Sequence, residues 1–238
     1  MEFKDISELT IQDNFIFSAV MRDPEKCKVL LETILKIKID HIEYPEYEKN
    51  IKLTLNSKGI RLDLYVEGDS TTVYNIELQA TTHSNLPKRS RYYHGMIDLN
   101  ILEKGEDYNK LKRSYVIFIC PFDPFQEEQY IYTFVKRCEE VPELKLNDET
   151  VTIFINTTGK YGDVSDEFKE LADYINGNKP SGKYTREIDK AVNDIKNDKK
   201  WRRDYMTLQM MLNEAKEDAY NKGVESGIER GIEQGIEQ

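Results

Sequence analysis

The sequence predicts an α/β fold with a mixed central sheet, followed by a helical C-terminal region. Residues 59–79 alternate between apolar and polar side chains on both sides of a Gly-Asp-Ser turn, which is the pattern of a two-stranded hairpin. Residues 114–120 read SYVIFIC and are almost continuously apolar, as in a strand that is buried on both faces. From Ser165 onward only helical patterns occur. We therefore expect a core over residues 1–160 and a helical region over residues 161–238.

The first part of the chain predicts a pair of helices over residues 11–37. Asp23-Pro24 ends the first helix and begins the second, because proline suits the first turn of a helix. Asp13 lies near the start of the first helix, where its carboxylate either meets the unpaired amides of that turn or assists a nearby active site. Extended segments follow around residues 42–44 and 51–55, and Pro45 between them predicts a sheet edge or a bend.

The hairpin of residues 59–79, with its turn at Gly68-Asp69-Ser70, carries the candidate site. Successive side chains of a strand lie on opposite faces, so Asp63 is expected on the face away from the core, and Glu77 and Gln79 on the corresponding face of the next strand. Neighbouring strands are roughly 5 Å apart. Oxygen ligands of this kind suit Mg²⁺ or Mn²⁺. The alternative is an ordinary polar face that contacts water.

A loop over residues 81–85 and a helix with Pro87 in its first turn follow the hairpin. Arg89 and Tyr93 are four residues apart and share one side of this helix. If that side faces the carboxylates, Arg89 can hold a phosphate with two hydrogen bonds. Otherwise Arg89 is a surface residue paired with an acid, and the tyrosine packs in the core. We interpret His83 as a loop residue rather than a metal ligand.

Two more strands are expected after the buried strand, which ends at the Pro121 to Phe125 segment. Residues 130–136 alternate, and residues 150–156 read TVTIFIN, so the two segments predict a further hairpin with Asn147-Asp148 in its turn region.

The C-terminal region predicts helices at about 165–176 and 184–196, separated by a Lys-Pro-Ser-Gly breaker. Residues 199–203 read KKWRR and either contact phosphates or form a solvated face. Glycine recurs every fourth residue from Gly223, with Val or Ile after each. This repeat is either a self-association helix, which would give a homodimer, or a frayed extension, since glycine weakens an isolated helix.

Composition limits the classes of protein that the chain can belong to. The 34 basic and 44 acidic residues give a net charge of −10, so nucleic-acid affinity would need a local basic groove or bound metal. No apolar run approaches the ~20 residues of a membrane span. The three cysteines have no paired or metal-ligand spacing, and the N-terminus shows no targeting segment, which predicts free core thiols and a cytoplasmic protein.

These motifs together resemble the PD-(D/E)xK nuclease superfamily. The matching features are Asp63, the Glu77-x-Gln79 strand, the helix that opens Arg89-x-Arg91-Tyr-Tyr, the Asp13-Asn-Phe-Ile-Phe opening motif and the glycine-repeat tail. The resemblance is nearest to the branch of recombination-promoting nucleases, also called PD-(D/E)xK family transposases. It covers roughly residues 5–125. The superfamily's usual lysine is Gln79 here, and glutamine at that position is common in this branch.

The resemblance implies a restriction-endonuclease-like αβββαβ core and a divalent-metal-dependent DNA endonuclease. Asp63 and Glu77 would bind Mg²⁺ or Mn²⁺ together with the backbone carbonyl of Leu78, and Gln79 would orient the attacking water. Arg89 and Arg91 would bind phosphate, with Asp13 and Tyr93 assisting. The implied partner is double-stranded DNA, cleaved in recombination or transposition-like events.

Two other functions remain open at this stage. One is a DNA-binding or regulatory relative whose chemistry has decayed, as the substitution of glutamine for lysine at position 79 would suggest. The other is an assembly protein whose helical tail forms dimers and whose acidic residues only keep it in solution. The intact pair of Asp63 and Glu77 favours the nuclease over both alternatives.

Overall fold

A computed structural model of the chain describes residues 4–51, 60–67, 71–82 and 85–236. Within these ranges the chain forms six α-helices and six strands, with short 3-10 helices at Ile6–Glu8 and Tyr108–Lys110. The helices are α1 (Asn14–Val20), α2 (Pro24–Leu35), α3 (Leu86–Ile101), α4 (Asp166–Ile175), α5 (Lys183–Asn197) and α6 (Lys199–Ile236). The strands are β1 (Glu43–Ile51), β2 (Ile60–Glu67), β3 (Thr72–Leu78), β4 (Arg113–Cys120), β5 (Ile131–Phe134) and β6 (Thr150–Asn156).

The six strands form one mixed sheet in the order β1-β2-β3-β4-β6-β5. β1, β2 and β3 are antiparallel neighbours, β3, β4 and β6 run parallel, and β5 returns antiparallel to β6. The helix, strand and helix order confirms the predicted α/β class and is consistent with a restriction-endonuclease-like core.

The predicted hairpin is β2 and β3, with Leu64 opposite Ile76 and Val66 opposite Tyr74. Its turn, Gly68-Asp69-Ser70, lies outside the described residues. The SYVIFIC segment lies in β4, between β3 and β6, and Val116 through Cys120 are buried. Parallel strands are covered by helices on both faces, which explains why this segment carries no polar alternation.

Pro45 lies within β1, at one edge of the sheet, as predicted. Proline lacks the N–H that a central strand would need, and the pairing with β2 shifts register between Glu43 and Glu46. Of the predicted extended segment 51–55, Ile51 ends β1 and residues 52–55 lie outside the described part of the chain. The second predicted hairpin is confirmed as β5 and β6.

The helical pair is confirmed as α1 and α2. Asp23 caps α2 by accepting hydrogen bonds from the backbone amides of Glu25 and Lys26, and Pro24 occupies the first helical position. Asp13 occupies the N-cap position of α1, but its side chain makes no capping hydrogen bond. The carboxylate instead accepts hydrogen bonds from the Thr10 backbone amide (2.7 Å) and hydroxyl (3.3 Å). The expectation that Asp13 meets the amides of the helix is therefore wrong.

The chain comprises two compact units, residues 1–9 with 194–238 and residues 10–193. α4 and α5 match the predicted C-terminal helices. α6 is a single helix of 38 residues whose Tyr205 hydroxyl donates to the Lys4 carbonyl at 3.1 Å. No described helix is long and apolar enough to cross a membrane. The expected boundary at residue 160 stays a prediction.

The cysteines are free, but only two of them are core residues. Cys27 and Cys120 are buried, and burial raises the pKa of each thiol to about 12. Cys138 is half-buried in the connection between β5 and β6, and its sulfur lies 3.1 Å from a Glu140 carboxylate oxygen. The prediction of three core thiols is wrong for Cys138, because this connection lies outside the core.

A buried histidine ties α3 to the sheet. The two ring nitrogens of His94 lie 2.7 Å from the Ser114 hydroxyl and 3.1 Å from the Thr152 hydroxyl. Burial and, to a smaller extent, the nearby Lys136 cation lower the pKa of His94 to about 4, against an opposite influence from Asp148. The folded protein therefore holds this imidazole neutral.

We expect acid to destabilise the fold through His94. The unfolded chain takes up the proton near the ordinary pKa of 6.5, whereas the folded chain does so only near 4. The stabilisation is thus complete above pH 6.5 and is lost as the pH falls towards 4, by up to about 3 kcal/mol. Urea unfolding of the wild type and His94→Gln between pH 7 and 4 tests this, since the variant keeps both hydrogen-bonding ends. Other groups, including Asp98, titrate in both proteins, so only the difference between the two pH profiles reports on His94. Parallel profiles would contradict the expectation.

Candidate active site

Three polar side chains, two in β3 and one directly after it, form the centre of the site. Asn75, Glu77 and Gln79 follow one another at every second position and are respectively 0, 4 and 8 % exposed. The same face of β3 carries Val73, which packs in one core cluster with Tyr93 of α3 and Phe118 of β4. The expectation that these side chains occupy a face away from the core is therefore wrong. β3 is a central strand, and α3 covers the face that holds them.

Arg89 lies over this row and contacts two of its members. One terminal guanidinium nitrogen of Arg89, Nη1, donates to the Gln79 side-chain oxygen at 2.6 Å. The other terminal nitrogen, Nη2, donates to the Tyr93 hydroxyl at 2.8 Å. The latter nitrogen is 3.6 Å from a Glu77 carboxylate oxygen. The predicted shared side of Arg89 and Tyr93 thus faces the predicted carboxylate. The guanidinium also lies 5.5 Å from the Tyr93 and Phe118 ring centroids, and these cation–π contacts stabilise its position.

Gln79 is held at both ends of its amide. Its oxygen accepts from Arg89, and its nitrogen donates to the Thr81 carbonyl at 2.6 Å. A side chain fixed in this way orients the Arg89 guanidinium. Lysine, with donors only, would not accept the hydrogen bond from Arg89.

Asp63 lies in β2, and the pairing of Leu64 with Ile76 fixes its position along the sheet. Continuing this antiparallel register by one residue aligns Asp63 with Glu77. The Asp63 side chain lies outside the part of the structure that is described, so its meeting with the Glu77 carboxylate stays a prediction.

A model of the PD-(D/E)XK nuclease family transposases matches residues 15–176. The chain belongs to this family. No curated protein and no solved structure matches the chain. Membership supports a nuclease or transposase-like role on DNA, and nucleases of this superfamily usually use divalent metals.

Asn75 also belongs to the site, although the sequence pattern did not identify it. Its amide nitrogen lies 3.3 Å from a Glu77 carboxylate oxygen, while its own oxygen is buried without a hydrogen-bond partner. A buried acceptor without a partner costs about 1–3 kcal/mol. The signal in the sequence was a polar residue two positions before Glu77, on the same face of the strand.

The polar groups of the site fit a hard cation. Glu77 supplies a buried carboxylate, and Asn75 an unpaired amide oxygen beside it. The Gln79 backbone N–H donates to the Ile119 carbonyl of β4 at 2.8 Å, and backbone groups alternate sides along a strand. The Leu78 carbonyl therefore points away from β4 and towards β2, one register position from Asp63. Among the residues whose side chains are described, which do not include Asp63, no three His, Cys, Asp or Glu side chains cluster as metal ligands.

The start of α3 is positively charged. Lys88, Arg89 and Arg91 fall within its first two turns, and its first turn carries no acidic residue. Cations at a helix N-terminus oppose the helix dipole, so this arrangement favours an anion nearby. Arg91 is exposed and lies about 200° around the helix from Arg89, so the two arginines face different directions. His83 lies outside the described residues.

Proposed function

We propose that this protein is a divalent-metal-dependent endonuclease that hydrolyses phosphodiester bonds of double-stranded DNA in recombination or transposition-like events. The observation that carries this proposal is Arg89, whose guanidinium contacts Gln79 and Tyr93 and lies 3.6 Å from the buried Glu77 carboxylate. A carboxylate and a fixed arginine side by side provide the two opposite charges that phosphodiester hydrolysis needs: one for a cation and one for phosphate.

Asp63, Glu77 and the Leu78 carbonyl are the proposed ligands of Mg²⁺ or Mn²⁺. A cation held by such oxygens lowers the pKa of a bound water and neutralises charge on the phosphate. Asn75 orients Glu77 through its amide nitrogen, which leaves the second carboxylate oxygen to face Arg89.

Arg89 is the proposed phosphate-binding residue. A guanidinium has five N–H donors, and the hydrogen bonds to Gln79 and Tyr93 use two of them. The side chain is 29 % exposed, so a phosphate oxygen can reach it. Arg91 is proposed to contact a neighbouring phosphate along the strand. In the reaction a water oxygen bonds to phosphorus as the ester P–O bond breaks, and Arg89 stabilises the charge that develops on the phosphate oxygens.

Supercoiled plasmid with the purified protein tests the proposal. We expect nicking with Mg²⁺ or Mn²⁺, no nicking with EDTA, and none with Asp63→Ala, because that variant loses a metal ligand. Asp163→Ala is a matched control, since Asp163 is an exposed acid paired with Lys36. Full activity of folded Asp63→Ala would contradict the site.

One observation favours a second candidate, a family member that binds DNA without cleaving it. Gln79 stands where the superfamily has lysine, and both ends of its amide are already bound to Arg89 and Thr81. This candidate predicts metal-independent binding and no nicking by the wild type, so the plasmid experiment separates the two.

We also propose that α6 forms a homodimer with α6 of a second copy. Val224, Ile228 and Ile232 recur every fourth residue and are 42–58 % exposed. Apart from its chain neighbours and the adjoining backbone of α6, a Cβ at Gly223 or Gly227 would meet no atom within 4 Å, so a second helix can approach these positions closely. α6 extends over 38 residues, a length of about 57 Å.

Sedimentation equilibrium is expected to give a dimer for the wild type and a monomer for Val224→Glu with Ile228→Glu. Two carboxylates in an apolar contact cost several kcal/mol to bury, enough to shift the dissociation constant by at least about 100-fold. The control is Ala219→Glu with Ser226→Glu, which adds the same charge on the other side of α6. The assignment would be contradicted if none of the three proteins dimerised, or if all three did.

A further inference from the structure

A cleft of about 340 Å³ adjoins the proposed phosphate-binding residue. Thr82, after β3, forms one wall, and Leu86 and Pro87 in the first turn of α3 form another. The five residues from Phe122 to Gln126, after β4, complete the lining and include the Asp123 carboxylate. Its volume falls in the range of small-ligand pockets, about 300–1,000 Å³. The proposed metal and phosphate residues are not among those that line it.

A series of ring contacts connects Phe125 of the cleft lining to the site. Phe125 packs edge-on against Phe154 with ring centroids 5.0 Å apart, and Phe154 stacks on Phe118 at 5.3 Å. Phe118 is the ring beneath the Arg89 guanidinium. Leu86, which also lines the cleft, precedes Arg89 by three residues, so the two residues share one side of α3. A ligand in the cleft therefore lies beside whatever Arg89 binds.

Hydrogen bonds to one carboxylate fix the backbone conformation of the segment after β4. The Asp123 carboxylate accepts hydrogen bonds from the backbone amides of Phe125 (3.0 Å), Gln126 (2.9 Å) and Glu128 (2.7 Å), and from the Tyr132 hydroxyl (2.7 Å). Gln126 and Glu128 have φ of 62° and 55°, a left-handed conformation that is unfavourable for residues other than glycine. Strained backbone of this kind persists only where surrounding contacts enforce it, and it clusters at ligand sites.

We propose that this cleft receives one unstacked nucleobase of the DNA strand whose phosphate contacts Arg89. Aromatic rings stack on any base, and the Thr82 hydroxyl and the Gln126 amide can hydrogen-bond to a base edge. An apolar ligand without a phosphate would leave the adjoining basic start of α3 without a role. The proposal rests on the proposed function, because Arg89 must bind a DNA phosphate.

The inference has a consequence for substrate choice. A base reaches the cleft only after leaving the duplex stack, which costs least where it is mismatched, frayed or single-stranded. Within double-stranded DNA, the protein therefore selects sites at which one base is already unpaired.

Fluorescence anisotropy in EDTA tests this with a ten-nucleotide single strand and the same strand with abasic sites at its five central positions. We expect the wild type to bind the base-containing strand about tenfold more tightly. Thr82→Trp fills the cleft and should remove this difference while the abasic strand binds as before. Gln126→Gly should reduce the difference severalfold, since it removes the amide but accepts the left-handed backbone. Asn147→Gly is the control, because Asn147 has φ of 55° at an exposed position outside the cleft lining.

Equal wild-type affinities for the two strands, or absence of binding to both, would overturn the proposal. So would a base preference that persists in both cleft variants. Free deoxyadenosine monophosphate that binds with the same dependence on Thr82 and Gln126, without any strand preference, would reassign the cleft to free nucleotides. Plasmid nicking without base preference would remove this inference alone, whereas base preference without nicking would remove only the proposed cleavage.

Discussion

Glu77→Gln is expected to lower metal-dependent plasmid nicking at least about 1,000-fold, a loss of roughly 4 kcal/mol in transition-state stabilisation. The substitution keeps the shape of the side chain and an oxygen that can accept from Asn75. It removes the negative charge that would hold the cation and that faces Arg89 at 3.6 Å. The measurement is the initial rate of nicking at saturating Mn²⁺.

Two further measurements make the Glu77→Gln result interpretable. The midpoint of urea unfolding should change by an amount equivalent to no more than about 1 kcal/mol, because the substituted side chain can still accept from Asn75 and Arg89 keeps its hydrogen bonds to Gln79 and Tyr93. Titration calorimetry with Mn²⁺ should show weakened binding. Glu139→Gln, at an exposed position, controls for the loss of one charge. Nicking at the wild-type rate by Glu77→Gln would remove Glu77 from the site.

Gln79→Lys, which restores the usual superfamily residue, is expected to damage this protein rather than improve it. The Gln79 oxygen accepts a hydrogen bond from Arg89 at 2.6 Å in a position that is 8 % exposed. Lysine cannot accept that bond and places a second cation beside the guanidinium. We expect a loss of about 2–4 kcal/mol in unfolding free energy and about tenfold in nicking rate, as Arg89 is displaced.

Gln79→Met separates the two causes of this effect. Methionine removes the same hydrogen bonds without adding charge, so its cost should be about 1–2 kcal/mol and insensitive to salt. The additional cost of lysine should shrink as salt rises, because it arises from repulsion between like charges. A lysine variant that is as stable as the wild type and cleaves faster would contradict the role given to Gln79.

Local periodicity explains why much of the fold was predictable. The alternation in β2 and β3, the apolar run of β4 and the proline at the start of α3 each specify a conformation through near neighbours. The same holds for the i, i+4 spacing of Arg89 and Tyr93, which a helix places on one side wherever it packs. The family match over residues 15–176 agrees with the motifs read from these elements.

The failures share a different cause. Alternation shows that a strand has two faces, but not which of them a distant helix covers, so the face of Glu77 was assigned to the outside. Asp13 has the spacing of a helix cap, yet its carboxylate binds Thr10. The sequence predicts a core position for Cys138 because a cysteine does not by itself show whether the segment around it is buried.

The sequence alone thus determined the order of helices and strands and the residues that carry oxygen and charge, since these depend on neighbours within one or two turns. The tertiary structure decided that α3 packs over β3, with Arg89 against Glu77 and Gln79, Asn75 beside Glu77, and an aromatic cleft next to them. These contacts join β3, α3 and the segment after β4. Only the packing of a complete core brings together residues so far apart along the chain.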